Sequence, residues 1–138
     1  MKLVVDANIL VAAFFKAAAT RELLLDESLE FVAPEYLLVE IKQLLKNPRI
    51  RERLKLNDGD LYELTSAILS RIAFIPEKIF LSSIKQSLSL VAHPEDTPYV
   101  ALSLAFNIPV WSNDSELKKL SSPKIKVLTT TELIELLT

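Results

Sequence analysis

Four carboxylates in this chain stand where hydrolytic chemistry can be built. Asp6 directly follows the apolar run Leu3-Val4-Val5, and Glu40 lies inside a mid-chain stretch rich in leucine. Asp96 sits in the break His93-Pro94-Glu95-Asp96-Thr97-Pro98, and Asp114 comes three residues after Trp111. Carboxylates with water suit hard cations such as Mg2+ or Mn2+. Other chemistries fall away on composition. The 138 residues include one glycine (Gly59), one histidine (His93) and no cysteine. A dinucleotide-binding turn needs three glycines and a Walker A loop two. Paired-histidine zinc sites and thiol nucleophiles are excluded on the same count. A Ser-His-Asp triad would have to use His93, and no G-x-S-x-G turn accompanies it.

Each acid also has an ordinary structural use. Asp6, Asp96 and Asp114 each stand where a helix N-cap belongs. Thr97 followed by Pro98 supplies a cap of its own, however, and Asn113 to Glu116 has capping-box spacing, so neither of those helices requires Asp96 or Asp114. Glu40 adjoins the edge of the Leu37, Ile41, Leu44 stripe. A carboxylate there needs a cation, a hydrogen-bond donor or a raised pKa, unless its stem snorkels out to water. Residue by residue, this reading stops at an α/β domain with an acidic rim.

The elements that would position these acids alternate. Lys2–Val5 reads as a buried strand, with a helix from Ala7 to Lys16 and a short one around Thr20 to Leu25. Phe31-Val32 reads as a strand. Pro34 then opens a helix that ends or bends at Asn47-Pro48. Asn57 or Asp58 caps a helix running to about Ile72. Phe74-Ile75 is a brief strand or connector, and Ile79 to Val91 a helix. A helix over Tyr99 to Phe106 precedes a strand at Pro109-Val110-Trp111. Ser115 to Leu120 is helical, Ile125 to Leu128 extended, and Thr131 to Leu137 helical. Such alternation favours a three-layer α/β/α sandwich with a mainly parallel central sheet, whose ligands bind beyond the carboxyl ends of the strands.

With 50% hydrophobic and 25% charged residues, the chain suits one domain over residues 1–138. No apolar run reaches the roughly 20 residues of a membrane-spanning helix, since Lys16 interrupts Ile9 to Ala19. The N-terminus lacks a signal-peptide pattern, which points to a cytoplasmic protein without membrane association. A net charge of −2 gives no overall attraction to nucleic acid, so any such contact must be local. Lys42, Lys46, Arg49, Arg51, Arg53 and Lys55 form the one basic run, which is also what a solvated helical surface looks like.

Leu3-Val4-Val5-Asp6-Ala7-Asn8, Glu40 in its helix, the run Asp96 to Ala105 and Trp111-Ser112-Asn113-Asp114 together resemble the PIN domain, in its VapC-like group. The likeness spans almost the whole chain in the right order. It implies a Rossmann-like sandwich and an endoribonuclease using Mg2+ or Mn2+, with Asp6, Glu40, Asp96 and Asp114 as the acidic quartet. Asn8 and Ser112 match polar positions that accompany the first and last acids. PIN domains often place a further aspartate near the last motif; here Glu116 is the only acid nearby. Members of the group are often homodimers and toxins paired with an antitoxin. In this frame the run from Lys42 to Arg53 becomes a candidate margin for holding RNA. The metal-assisted mechanism is hydrolysis of a phosphodiester by an activated water.

Two rivals are weighed against this. One is a PIN-like module that binds RNA or protein without cutting, against which the intact acids argue. The other is a phosphate-handling α/β enzyme. Asp6-Ala7-Asn8 lacks the second aspartate that a haloacid-dehalogenase-like phosphatase places two residues on, and a receiver domain would need adjacent acids at the first strand.

Overall fold

A strand covered on both faces must be apolar at every position rather than at alternate ones. Leu3, Val4 and Val5 satisfy this and are fully buried, so β1 (Lys2–Val5) becomes the middle of the sheet. The computed structural model describes residues 1–15 and 17–138. Around β1 are β2 (Glu30–Pro34), β3 (Ile72–Ile75), β4 (Val110–Trp111) and β5 (Val127–Leu128), in the order β3-β2-β1-β4-β5. Every pairing is parallel, with Val4 opposite Val32 on one side and Val5 opposite Trp111 on the other. The chain therefore builds outward from β1 to β3, then returns to β1's other flank. The order reverses between β1 and β4, and the crevice at the carboxyl ends of those two strands is where such sheets take ligands.

The helices are α1 (Ala7–Phe14), α2 (Ala18–Leu25), α3 (Tyr36–Lys46), α4 (Pro48–Leu54), α5 (Asp58–Leu69), α6 (Glu77–Phe80), α7 (Ile84–Leu90), α8 (Thr97–Phe106), α9 (Ser115–Lys118) and α10 (Thr130–Leu137). They flank the sheet and complete an α/β sandwich. α8 lies across β2, β1 and β4 with α6 and α7 against it, while α1 packs on α2, α3 and α5. Trp111 is fully buried, its ring 5.8 Å from that of Phe31, and its indole N–H donates to Thr130 Oγ1 at 3.0 Å. No helix among the described residues is long and apolar enough to cross a membrane.

Several elements depart from the expectation. Pro34 does not open α3 but ends β2, paired with Ile75, and the helix starts two residues later. A proline at the last strand position costs the ladder little, and pairing with β3 outweighs its preference for a first helical turn. The helix expected over Ile79 to Val91 starts earlier, at Glu77 after Pro76, and is split by a 3-10 turn over Leu81–Ser83. Ser82 and Ser83 are weak helix formers at that point. α1 is described to Phe14; the expected end at Lys16 lies outside the described residues. Chains poor in glycine must end helices otherwise. Lys55 and Asn107, closing α4 and α8, take φ of 55° and 54°, the left-handed region.

Candidate metal and active site

Asp6 is the first residue beyond β1 and the N-cap of α1. Its Oδ1 accepts the Ala7 N–H at 2.8 Å. The pairing of β1 with β4 carries the segment after Trp111 alongside it, and the Asp6 N–H donates to Trp111 O at 3.2 Å. Ser112 is then the hub. Its buried hydroxyl donates to Asp6 Oδ2 at 2.7 Å and accepts the Asp114 N–H at 3.0 Å and Asn8 Nδ2 at 3.4 Å. One serine thus ties the residue after the first strand to the loop after the fourth.

Asp114 does cap its helix, contrary to expectation: Oδ1 accepts the Glu116 N–H at 2.8 Å. Asn113, which local spacing nominated, is drawn away by tertiary contacts. Its Nδ2 donates to Thr130 Oγ1 at 2.9 Å and its Oδ1 accepts the Thr130 N–H at 2.8 Å. Thr97 is likewise not a cap but the first residue of α8. Asp96 takes the cap position, in helical conformation, and its carboxylate makes no capping bond. A short 3-10 turn over Pro94–Asp96 leads into α8 and already supplies a helical approach. The Asp96 side chain is left available to the crevice. Glu40, on α3, reaches across to α8, where the Tyr99 hydroxyl donates to its Oε1.

The electrostatics show that these four acids share one region. Burial pushes Asp6 up to about 6, against the Ser112 and Ala7 hydrogen bonds, and the charges of Asp114 and Glu40 add to the rise. Asp96 is pushed up to about 6, first by loss of water, then by Asp6, Asp114 and Glu95, with His93 pulling the other way. Glu40 is raised by burial, against the hydrogen bond from Tyr99, with Asp96 and Glu95 contributing. Each of these three feels another of the quartet. Among the described residues, however, no three His, Asp or Glu side chains are already closed around an ion-sized point.

The donor set fits a hydrated divalent cation. The four carboxylates would supply hard oxygen ligands, and Asn8 Oδ1 and Thr97 Oγ1, in the turns next to Asp6 and Asp96, are buried without a hydrogen-bond partner. Orphaned buried groups are rare and call for a partner such as ordered water. Both occur in the first turns of the helices that begin at Asp6 and Asp96, where a cation's water shell would meet them.

Glu116 touches Asp114 through its backbone N–H, while its carboxylate pairs with Lys119 at 3.0 Å. Arg51 is paired with Asp58. Arg53 stacks over Phe15 with its guanidinium 5.5 Å from the ring centre. Phe15 closes the helix that Asp6 opens, about 13–14 Å along its axis at ~1.5 Å per residue. Lys42, Lys46 and Arg49 are exposed on α3 and α4. Tyr99 went unmarked in the sequence, although the need of Glu40 for a donor was the signal that could have found it. A groove of about 510 Å³ adjoins the site, lined by Tyr36, Val39, Phe80 and Pro98 with the carboxyl side chains of Glu35 and Glu77.

Comparison with known proteins gives the following. The family model described as "PIN domain" matches residues 4–136. Among solved structures the chain is similar to one in the crystal structure of VapBC2 from Rickettsia felis bound to a DNA fragment from their promoter. The TM-score is 0.67 at 16% identity, covering 94% of this chain and 98% of that one. No curated protein matches significantly.

Proposed function

This chain belongs to the PIN domain family, and we propose that it is a divalent-metal-dependent endoribonuclease hydrolysing RNA phosphodiester bonds. One observation carries the reading. Asp6, Glu40, Asp96 and Asp114, from four separate elements, come near enough to feel one another's charge, and burial with this repulsion raises Asp6 and Asp96 to about 6. Perturbed acids in a crevice are the mark of a functional site, and repulsion of this kind is relieved by a cation.

When bound, Mg2+ or Mn2+ supplies Lewis-acid stabilisation of the phosphate and an activated water. The chain's own residues hold and aim. Ser112 fixes Asp6 with one oxygen tied to Ala7 and one to the serine hydroxyl. Asp114 keeps Oδ1 on its helix, which fixes its carboxylate beyond β4, and Asp96 brings a carboxylate free of capping duty. Asn8 and Thr97 offer buried polar atoms to ordered water.

The reading extends to partners. The likeness to a chain of VapBC2 supports a toxin role with a cognate antitoxin protein. Exposed Tyr36, Val39, Ile79 and Leu81, on α3 and on the α6 segment beside the groove, support a homodimer that covers them. The proposal places the protein in the cytoplasm as a single domain.

The test is cleavage of a panel of structured RNAs by wild type and Asp6→Asn, with Mn2+ and with chelator. Cutting that needs both Asp6 and metal supports the proposal. RNA bound but left whole in Mn2+ would replace it with the non-catalytic binding module.

A further inference from the structure

We propose that Tyr99 is a positioning residue for Glu40, holding its carboxylate in place beside the other acids; the inference rests on the metal-dependent reading above. Glu40 sits at the edge of α3 and is only partly buried. Left alone, a glutamate there would spread over several rotamers and turn its carboxylate towards bulk water. Tyr99, on α8, prevents this. Its ring is 1% exposed and is flanked along α8 by the buried Val100, Ala101 and Leu102, so the core holds its hydroxyl in one place.

That hydroxyl donates to Glu40 Oε1 across 59 residues of sequence. The geometry has two consequences. Oε1 is anchored by that bond, so the carboxylate is tied to α8 and no longer free to turn to bulk water. The rotamer is also chosen before any ion arrives, so ordering the side chain no longer opposes binding. Supports of this kind around metal ligands change affinity about 10–100-fold when removed. α8 then serves the crevice twice, through Asp96 at its entry and Tyr99 three residues on.

The test uses Tyr99→Phe, which keeps the ring and deletes the donor, alongside Glu40→Gln and the double variant. The main readout is the rise in melting midpoint across a Mn2+ titration, with RNA cleavage as the second. The expected result is an apparent Mn2+ affinity about 10-fold weaker in Tyr99→Phe, with cleavage recovered in part at high Mn2+. In the Glu40→Gln background, Tyr99→Phe is expected to have no further effect on the Mn2+ response, because the pair acts as a unit.

Wild-type Mn2+ affinity in Tyr99→Phe overturns the proposal and leaves the metal reading standing. So do additive losses in the double variant, which would mean that Tyr99 acts through packing alone. A wild-type protein whose midpoint ignores Mn2+ overturns both.

Discussion

Replacing Asp6 by asparagine should make the metal-free protein more stable while abolishing its activity. The folded carboxyl is pushed from its ordinary 3.8 to about 6. At ~1.36 kcal/mol for each pH unit, keeping it ionised at neutral pH costs the fold roughly 3 kcal/mol. The sign follows from proton counting. Between pH 3.8 and about 6 the folded chain holds a proton that the unfolded chain has released, so this acid's contribution to stability falls as pH rises through that window. It is at its most unfavourable above pH 6. Asparagine removes the charge but cannot satisfy both the Ala7 N–H and the Ser112 hydroxyl as acceptor, a loss of about 1 kcal/mol. The net gain is about 2 kcal/mol, or roughly 6–10 °C in melting midpoint for a chain of this size. Urea and thermal melts in chelator, taken from about pH 7.5 down to about pH 4, measure it. The gap between variant and wild type should be widest at the upper end and close as pH drops. A variant less stable than wild type at neutral pH, or a gap independent of pH, would refute the reasoning.

Three further outcomes can be checked by similar means. Ser112→Ala strands Asp6 Oδ2, the Asp114 N–H and Asn8 Nδ2 together, and is expected to cost about 2–3 kcal/mol in chelator and to blunt the Mn2+ response in thermal melts. Because cations compete with protons for the raised carboxyls, apparent Mn2+ affinity by calorimetry should weaken steeply as pH falls below about 6, the value to which Asp6 and Asp96 are pushed. Lys55→Gly relieves a lysine held at φ 55° on an exposed turn, with an expected gain of about 0.5–1 kcal/mol in urea melts and unchanged RNA cleavage.

Much of this arrangement is legible along the chain because it depends on local pattern. An unbroken apolar run ending in an acid marks β1 and Asp6, and the alternation of elements gives the parallel sheet. Parallel strands then bring Asp6 and Asp114 to the same rim without further information. What escapes is what distant parts of the chain decide. Asn113 has the spacing of a cap, yet Thr130, 17 residues on, takes both ends of its amide, and Asp114 caps instead. Pro34 has the look of a helix opening until β3 pairs with it. Arg53 belongs to the basic run in sequence, but its guanidinium settles over Phe15 at the far end of α1, a contact no local pattern shows. The donor for Glu40 comes from another helix, and no periodicity in α3 points to it.

The bond between Ser112 and Asp6 joins residues 106 apart, with β2, β3 and β4 lying between them in sequence. A growing chain thus carries its opening acid unassembled until nearly all of it has been made. At about 5–20 residues per second, Asp6 precedes Ser112 out of synthesis by roughly 5–20 s. On the proposed reading, the crevice of a nascent chain lacks its Ser112 tie for that whole interval, so metal and substrate meet a finished site only once synthesis is almost over.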